Sequence, residues 1–331
     1  MKNSDFSKVN KKLLIFGQEK LREDYYQSVK KFVGNLSNIS KLESENEVIN
    51  VLGFPLNEKR KNPELLLKEK VLDNKDYILY KIQLKTFNNL LIYGLFAEPK
   101  NLKNRVPAVI VQHGGGDSPE SVFGFNEKKV YKSIADYVAK FGVAVFAPQL
   151  LLWNKSEYGT SFERQKRLEF DEKLKQYGGS ITALEISCIQ SVIDYLISLE
   201  YIDDLRIGFL GMSYGGMYAI YSMAVDKRIK TGYSSSWFND RNKYNWQDWI
   251  YRNGVYPDSQ VVLSIFPRKL IIEVGKNDEM FDVESAQREF DNLINKNIDA
   301  KKYCWFNVFD GVHEISEDKR WVDNFIKELF N

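Results

Sequence analysis

The clearest indication of the fold lies in residues 207–225, which read IGFLGMSYGGMYAIYSMAV. The run 207–210 has the length and composition of a buried strand, and residues 217–225 form an apolar run of helical length. The G-x-S-x-G sequence GMSYG, centred on Ser213, stands between them. At a strand–helix junction this motif predicts a strained turn that projects a serine hydroxyl above a sheet, beside a helix N-terminus that favours negative charge. Ser213 is therefore the candidate nucleophile, and a purely structural glycine-rich turn is the alternative.

Short apolar runs bounded by turn residues lie on both sides of this motif, with helical stretches between them. The predicted strands are 108–111, 143–147, 207–210, 229–234, 270–274 and 303–308. Residues 77–86 and 90–97 alternate in hydrophobicity around Asn88-Asn89, which predicts a β-hairpin. Apolar strands separated by helices are typical of parallel sheets covered on both faces. We therefore predict an α/β fold with about eight mostly parallel strands flanked by helices.

Residues 1–72 differ in character from the rest of the chain. They are highly charged and carry apolar residues at helical spacing, at Leu21, Tyr25, Val29 and Phe32. The pattern predicts a helical N-terminal extension packed on the core, without strands. Residues 73–331 are the predicted catalytic domain, with a small cap-like insertion near 237–262.

A serine nucleophile needs a base, which is most often histidine. The chain has two histidines, His113 and His313. His313 lies in FDGVHE, between the last predicted strand and the last helix, where the loop would open on the same sheet edge as Ser213. We predict that His313 is the base.

A carboxylate must orient the base, and in this type of fold it lies between the serine and the histidine in the sequence. Asp278 directly follows the strand 270–274, 65 residues after Ser213 and 35 before His313. We predict that Asp278 is the acid. Asp240, after the preceding strand, is its main rival. Glu279 is expected to point elsewhere, and Asp310 to be a turn residue.

His113-Gly114-Gly115-Gly116 follows the strand 108–111. Acyl transfer needs two donors directed at the oxyanion of the tetrahedral intermediate. We expect one from the backbone amide of Tyr214. Because absent side chains allow close approach, the second is expected from Gly115, with Gly114 as the next choice. His113 is expected to brace this loop.

Seven aromatic residues fall within residues 237–256. Trp237 and Trp246 in this segment, and Trp153 after the strand 143–147, are candidate substrate-binding residues because aromatic rings stack on sugars or line acyl pockets. The alternative is that the segment 237–256 packs a cap onto the core.

Composition excludes several classes of protein. The 331 residues carry 47 basic and 45 acidic side chains, a net charge of +2, so we predict neither a nucleic-acid nor a membrane partner. Two histidines and the absence of CxxC and HExxH sequences predict no metal site, and no cofactor is expected. Cys188 and Cys304 are expected to be buried free thiols. The apolar run at 13–17 is too short for a signal peptide, which predicts a cytoplasmic protein.

Residues 75–331 resemble the α/β-hydrolase superfamily, and more narrowly its dienelactone-hydrolase-like and acetyl-xylan-esterase-like branch of bacterial esterases. The segments that carry the resemblance are VPAVIVQHGGG, VAVFAP, YIDDLRIGFLGMSYGGMYAIYSMAVDKRIK, LIIEVGKNDEMF and DGVHE. The resemblance implies an α/β-hydrolase fold and a triad of Ser213, Asp278 and His313. It departs from true dienelactone hydrolases, whose nucleophile is cysteine, and it lacks the RGQG oxyanion loop of cephalosporin-deacetylating acetyl xylan esterases.

Together these features predict a serine hydrolase that cleaves a small-molecule carboxylic ester, such as a small acyl or acetylated sugar ester, through an acyl-enzyme intermediate. A peptidase, a thioesterase or a lactonase could use the same triad, and a non-catalytic hydrolase-fold binding protein is the remaining alternative. Whether the protein forms a homo-oligomer is left open.

Overall fold

The computed structural model of the chain describes residues 18–35, 46–100, 102, 104–126, 129–153, 164–240 and 257–331. Within these ranges the strands are β1 (Glu64–Asp73), β2 (Tyr77–Lys85), β3 (Leu91–Pro99), β4 (Val106–Gln112), β5 (Ala144–Pro148), β6 (Ile202–Met212), β7 (Ile229–Ser235), β8 (Lys269–Gly275) and β9 (Cys304–Phe309). The α-helices there are α1 (Gln18–Gly34), α2 (Glu47–Leu52), α3 (Pro119–Phe123), α4 (Ile134–Ala139), α5 (Arg164–Gln176), α6 (Ile181–Ile197), α7 (Tyr214–Val225), α8 (Asp258–Leu263), α9 (Val283–Lys296) and α10 (Arg320–Phe330). Short 3-10 turns cover Phe87–Asn89, Lys129–Tyr131 and Ile298–Lys302.

The nine described strands form one sheet in the order β1-β2-β3-β5-β4-β6-β7-β8-β9. Strands β4 to β9 pair in parallel, whereas β1, β2 and β3 pair antiparallel with each other and β3 pairs antiparallel with β5. The predicted α/β fold with a mostly parallel sheet is confirmed. Since the loops after parallel strands leave from one sheet edge, the turns after β4, β6, β7, β8 and β9 meet there.

Apolar side chains cover both faces of the sheet, which explains the continuous apolar runs in the sequence. Ile110 and Phe209 belong to a core shared with α1, α2 and α6 to α9. Val109 and Leu210, their neighbours in the chain, belong to a second core shared with α4 and α10. Successive residues of each strand thus face opposite helical layers, as the pleat requires.

The predicted hairpin is β2 and β3, which pair in register from Tyr77 with Pro99 to Lys85 with Leu91. Asn88 and Asn89 in its turn have φ of 51° and 61°. Asparagine tolerates this left-handed region better than most residues. The Asn-Asn pair therefore satisfies the backbone geometry of the turn.

Strand β1 corrects the prediction that residues 1–72 contain no strand. It is an edge strand, and only Val71 and Leu72 of its ten residues are buried. Charged side chains on it pair with the neighbouring strands, as Glu69 does with Lys81 at 2.8 Å. An edge strand protected by charge lacks the apolar alternation of a half-buried strand, which is why the pattern was not predictive here.

The N-terminal helix α1 is confirmed, and its predicted apolar positions Leu21, Tyr25, Val29 and Phe32 are buried. The predicted boundary at residue 72 cuts through β1, so the sheet begins before it. The division into an extension and a catalytic domain stays a prediction. Most of the predicted cap, residues 241–256, lies outside the described residues. Among the described helices, none combines the length and the apolar character that crossing a membrane requires.

Candidate active site

Ser213 occupies the turn between β6 and α7 with φ of 57° and ψ of −124°. Such a conformation costs a non-glycine residue on the order of 1–3 kcal/mol and persists only where the surrounding structure imposes it. The Ser213 amide donates to the Ser235 carbonyl of β7 at 2.9 Å, and the Met217 amide donates to the Ser213 carbonyl at 3.1 Å. The strained turn predicted from the G-x-S-x-G sequence is confirmed.

The two glycines of the motif are required by backbone contacts. A Cβ atom at Gly211 would overlap the backbone of Gly215, and a Cβ atom at Gly215 would overlap the carbonyl oxygen of Gln112 in β4. Since these are main-chain atoms of the turn and the sheet, they cannot rotate away as a flexible side chain could. The turn therefore accepts no side chain at either position.

Replacing Gly215 with alanine is expected to lower the free energy of unfolding by about 2 kcal/mol or more, because overpacking a dense site typically costs about 1–3 kcal/mol. Gly34→Ala is the matched control, because a Cβ atom there meets nothing within 4 Å. That control should change stability by no more than about 0.5 kcal/mol. Urea unfolding measures both variants. Equal stability of the two would show that the turn has room that the structure does not contain.

Asp278 and His313 form a hydrogen-bonded pair in the loops after β8 and β9. His313 Nδ1 lies 2.8 Å from Asp278 Oδ2. The side chain of Asp278 is 1% exposed and that of His313 is 22% exposed. Asp278 Oδ1 accepts the backbone amides of Met280 and Phe281 at 2.8 and 3.0 Å. The carboxylate is thus fixed inside the protein, and the imidazole reaches from it toward the surface.

The sequence spacing had favoured Asp278 over three other carboxylates. Asp278 is the acid that hydrogen-bonds to His313, and Asp310 instead lies 3.4 Å from the side-chain amide of Asn277. Glu279, next to Asp278, is exposed. The structure therefore brings together the predicted acid and base, whereas their roles in catalysis stay predictions.

Ser235, the last residue of β7, connects the Ser213 turn to the His313 loop. Its carbonyl accepts the Ser213 amide, and its hydroxyl donates to the carbonyl of Glu314 at 3.2 Å. The hydroxyl of Ser236 donates to the same carbonyl at 3.2 Å. The nucleophile candidate and the residue directly after the base candidate therefore share one strand end.

A chain of packed aromatic rings also connects Tyr214, the residue after Ser213, with the imidazole of His313. The rings of Tyr214 and Trp237 lie 5.9 Å apart, those of Trp237 and Phe281 5.4 Å, and those of Phe281 and His313 5.6 Å between centroids. These spacings are typical of packed aromatic pairs. The residue after Ser213 is thereby linked through packed rings to the imidazole.

Glu273 of β8 anchors the His313 loop, and sequence reasoning missed it. It is fully buried. Its Oε1 accepts the Ser316 amide at 3.1 Å and lies 3.3 Å from the Ser235 hydroxyl oxygen, and its Oε2 accepts the Asn307 side-chain amide at 3.3 Å. Burial raises the pKa of Glu273. The signal was a lone glutamate within the apolar strand LIIEV.

The predicted oxyanion loop lies against Ser213. A Cβ atom at Gly114 would stand 3.0 Å from the Ser213 Cβ, and one at Gly115 would stand 3.2 Å from the Tyr214 ring. The Gly114 amide donates to the Tyr131 hydroxyl at 2.8 Å. The Gly115 amide has no hydrogen-bond partner within the described part of the chain. Because its amide is already engaged, Gly114 is the weaker oxyanion candidate, and Gly115 and Tyr214 stay the predicted pair.

His113 braces this loop, as predicted. Its Nε2 accepts the Leu150 amide at 3.1 Å, and its Nδ1 lies 2.7 Å from the Gly114 carbonyl oxygen. An accepting Nε2 requires the proton on Nδ1, so the ring is neutral and donates to Gly114. Burial lowers the pKa of His113 to about 4, against the opposing effect of that backbone hydrogen bond. His113 therefore acts as a structural hydrogen-bonding group.

This buried histidine predicts a pH-dependent stability. The pKa of about 4 in the folded state lies below the ordinary 6.5, so the unfolded chain binds the proton first as the pH falls. Neutral His113 makes its full contribution to the free energy of unfolding above about pH 6.5. At about pH 4.5 that free energy should be about 2–3 kcal/mol lower. Urea unfolding from about pH 7 to about pH 4.5 should show a steeper loss for the wild type than for His113→Asn. Parallel losses would contradict a buried neutral imidazole.

The structure describes two of the three aromatic residues that were predicted to bind substrate. Trp237 is fully buried between Tyr214 and Phe281, and Trp153 is 3% exposed and forms a β-bridge with Gly116 of the oxyanion loop. Trp246 lies outside the described residues. Trp237 and Trp153 both adjoin the site, and their contact with a substrate stays a prediction.

Neither cysteine belongs to this site. Cys188 in α6 and Cys304 in β9 are buried free thiols, as predicted. Burial raises the pKa of Cys188 to about 12 and that of Cys304 further still. Both thiols are therefore protonated at neutral pH and unsuited to act as nucleophiles.

Comparisons with known proteins agree with this architecture. The uncharacterized protein YcjY of Escherichia coli (strain K12) is 27% identical over 180 residues, which cover 54% of this chain and 47% of that protein, so the match spans less than half of that relative. The glucuronoyl esterase from Solibacter usitatus has a similar structure, with a TM-score of 0.59 and 12% identity over 86% of this chain and 90% of that one.

Acetyl xylan esterase 1 from Thermoanaerobacterium sp. JW/SL YS485 has a TM-score of 0.57 and 14% identity over 96% of this chain and 99% of that one. At such identities the likeness shows a shared α/β-hydrolase fold. The sequence model of the dienelactone hydrolase family matches residues 92–313, from β3 through the Ser213 turn to the His313 loop, and the chain therefore belongs to the dienelactone hydrolase family.

Proposed function

We propose that this protein hydrolyses carboxylic esters with Ser213 as nucleophile, His313 as base and Asp278 as the orienting acid. The observation that carries the proposal is the 2.8 Å hydrogen bond between His313 and Asp278, in a loop joined through Ser235 to the Ser213 turn. A nucleophile, a base and an oriented carboxylate on loops from one sheet edge are the parts that acyl transfer requires.

The protonation of His313 follows from its contact with Asp278. A carboxylate accepts hydrogen bonds, so Nδ1 carries a proton and donates a hydrogen bond to Asp278 Oδ2. The neutral ring then has a lone pair on Nε2. As Ser213 Oγ bonds to the ester carbonyl carbon, its proton passes to His313 Nε2, and the alcohol takes that proton when it leaves. Water repeats the sequence on the acyl-enzyme and releases the carboxylic acid.

The oxyanion formed in each step is proposed to bind the amides of Gly115 and Tyr214. Tyr214 is the first residue of α7, so its amide belongs to the helix end that carries positive partial charge. Gly115 lies against the Tyr214 ring. Donors fixed before the reaction stabilise the developing charge without reorganisation, which is the largest catalytic contribution in many enzymes.

The substrate class is proposed from the family and the neighbouring structures. A dienelactone is a cyclic ester, and the similar structures are named as esterases of glucuronoyl and acetyl xylan esters. These names favour a small acyl or acetylated sugar ester as substrate, with a lactone as the second candidate. A peptidase or a thioesterase could use the same residues.

We also propose a cytoplasmic location. Both cysteines are free thiols, and reducing compartments preserve thiols.

The test is a panel of p-nitrophenyl esters of increasing acyl length, run beside lactones, thioesters and peptides. We expect the short-chain esters to have the highest kcat/KM. A higher kcat/KM for lactones, thioesters or peptides would reassign the substrate class. No turnover of any substrate would favour a non-catalytic binding protein with this fold and would overturn the proposal.

The dependence of kcat/KM on pH should identify the base. Since burial lowers the pKa of His113 to about 4, an acid limb with its midpoint near neutral pH is not expected from His113. His113→Asn should therefore lower kcat/KM by about 10- to 100-fold through the oxyanion loop and leave the position of the limb unchanged. A limb that disappears in this variant would transfer the base role from His313 to His113.

A further inference from the structure

A chain of buried hydrogen bonds runs from the N-terminal helix α1 to the oxyanion loop. Arg22 of α1 donates from Nε to Gln149 Oε1 at 3.0 Å. Gln149 Nε2 lies 3.2 Å from His113 Nε2, and His113 Nδ1 lies 2.7 Å from the Gly114 carbonyl oxygen. Arg22, Gln149 and His113 are each at most 1% exposed. Helix α1 thereby reaches the oxyanion loop through buried side chains alone.

The direction of each hydrogen bond in this chain is determined by chemistry. Arginine only donates, so Gln149 must present its oxygen to Arg22 and its NH2 group to the other side. There the two hydrogens of Gln149 Nε2 are donated to the carbonyls of Asp117 and Leu150, each at 3.0 Å. Gln149 thus holds Leu150, and the Leu150 amide makes His113 Nε2 an acceptor, with Gln149 Nε2 in contact at 3.2 Å. The proton of His113 is therefore on Nδ1, facing Gly114.

Fixing the Gly114 carbonyl also fixes the neighbouring amide. The Gly114 carbonyl and the Gly115 N–H belong to one planar, trans peptide group, so they point in opposite directions. When His113 holds the oxygen, the Gly115 N–H is held pointing away from His113. Two adjacent glycines would otherwise rotate easily between alternative peptide orientations.

We propose that Arg22 is a positioning residue that, through Gln149 and His113, holds the Gly114–Gly115 peptide with the Gly115 N–H directed into the active site. This inference rests on the proposed function of the site. It assigns the N-terminal helix a role in catalysis, although Arg22 lies well before residue 92, where the family match begins. Arg22 touches neither substrate nor reacting atoms in this account.

Arg22 also makes a second set of contacts, which stabilise the fold independently of the oxyanion loop. Its Nη2 pairs with Glu120 Oε2 at 2.8 Å, its guanidinium lies 5.4 Å from the centroid of the Tyr93 ring, and the Tyr93 hydroxyl donates to Glu120. Removing Arg22 alone would leave Glu120 as a buried charge without its cation, which destabilises the fold for reasons unrelated to the oxyanion loop. The test must therefore start from a background without that charge.

The kinetic test is a double-mutant cycle in the Glu120→Gln background, whose amide oxygen can still accept a hydrogen bond from Arg22 and which leaves no buried anion when Arg22 is then replaced. Arg22→Met, His113→Asn and both together are added to this background, and kcat and KM are measured for p-nitrophenyl acetate. We expect Arg22→Met to lower kcat about tenfold and to leave KM within about threefold, as loss of oxyanion stabilisation does. With His113 already replaced, Arg22→Met should change kcat by less than about twofold, because residues acting through one another are not additive.

Additive losses of kcat, or a change confined to KM, would overturn the inference. Should Arg22→Met fail to fold, Gln149→Met interrupts the same chain and should show the same non-additivity with His113→Asn. If Ser213→Ala abolishes turnover but the effects of the Arg22 and His113 substitutions are additive, this inference is overturned and the proposed function stands. Absence of turnover in the wild type would overturn the proposed function and this inference with it.

A spectroscopic measurement tests the chain without reference to ester hydrolysis. The untagged protein has two histidines, so 15N-histidine spectra contain two imidazoles, and His113→Asn assigns them. At neutral pH the His113 ring should be in the Nδ1–H form. A ring protonated on Nε2 would overturn the proposed hydrogen-bond directions whatever the enzyme hydrolyses.

Discussion

Replacing Ser213 with alanine is expected to lower kcat for the preferred ester by about 10⁶-fold, because loss of a triad nucleophile removes the covalent route altogether. The fold should persist, since alanine lacks only the hydroxyl and adopts the φ of 57° under the same constraint from Ser235 and Met217. Steady-state kinetics and circular dichroism measure the two properties.

Two other outcomes of that substitution would require a different interpretation. Near wild-type kcat in the alanine variant would move the nucleophile elsewhere in the chain. A variant that loses its circular dichroism signal would show that the hydroxyl stabilises the fold, and Ser213→Gly, which has no nucleophile and tolerates the positive φ, would then replace it as the functional test.

Replacing Asp278 with asparagine is expected to lower kcat by about 10⁴-fold, because the amide favours the wrong imidazole tautomer of His313. The Asp278 side chain is 1% exposed and accepts amides from Met280 and Phe281, so its position is set by the loop and an asparagine of the same shape fits. The consequence should be seen mainly in kcat, with little change in the melting temperature.

Asp240→Asn is the matched control for that prediction. Asp240 follows β7, as Asp278 follows β8, and it was the main rival in the sequence, but the structure pairs His313 with Asp278. The control should retain kcat within about threefold, as expected for a group outside the triad. A reversed pair of results would place the orienting acid after β7.

The fold was largely predictable because its central strands are buried on both faces. Continuous apolar runs such as 108–111 indicate buried strands, and the G-x-S-x-G turn sets the order of the elements around it. Strand β1 was not predictable, because an edge strand with eight unburied residues is maintained by pairing and charge rather than by an apolar face.

The hydrogen-bonded pair of Asp278 and His313 was predictable for a similar reason. Loops after parallel strands must meet at one sheet edge, so spacing along the chain translates into proximity for Asp278 and His313. The supporting residues were not predictable. Arg22, Gln149 and Glu273 act through side-chain hydrogen bonds between distant segments, and a single sequence carries no sign of which buried polar groups will meet.

The oxyanion loop illustrates the same limit within one motif. The sequence HGGG predicts close backbone approach, but it does not distinguish Gly114 from Gly115. That distinction depends on Tyr131, whose hydroxyl accepts the Gly114 amide and donates to Asp117 at 2.8 Å each. A tyrosine 17 residues further along the chain thus engages the Gly114 amide and leaves the Gly115 amide as the proposed oxyanion donor.

Covalent labelling by a fluorophosphonate tests most directly whether Ser213 is an activated nucleophile. The wild-type protein is incubated with the reagent, and mass spectrometry measures both the intact mass and the modified peptide. A serine activated by His313 should give one adduct per chain, on the peptide that contains Ser213, and the adduct should be absent from Ser213→Ala and strongly slowed in His313→Ala. An unmodified wild-type protein, or an adduct on any other residue, would contradict the account.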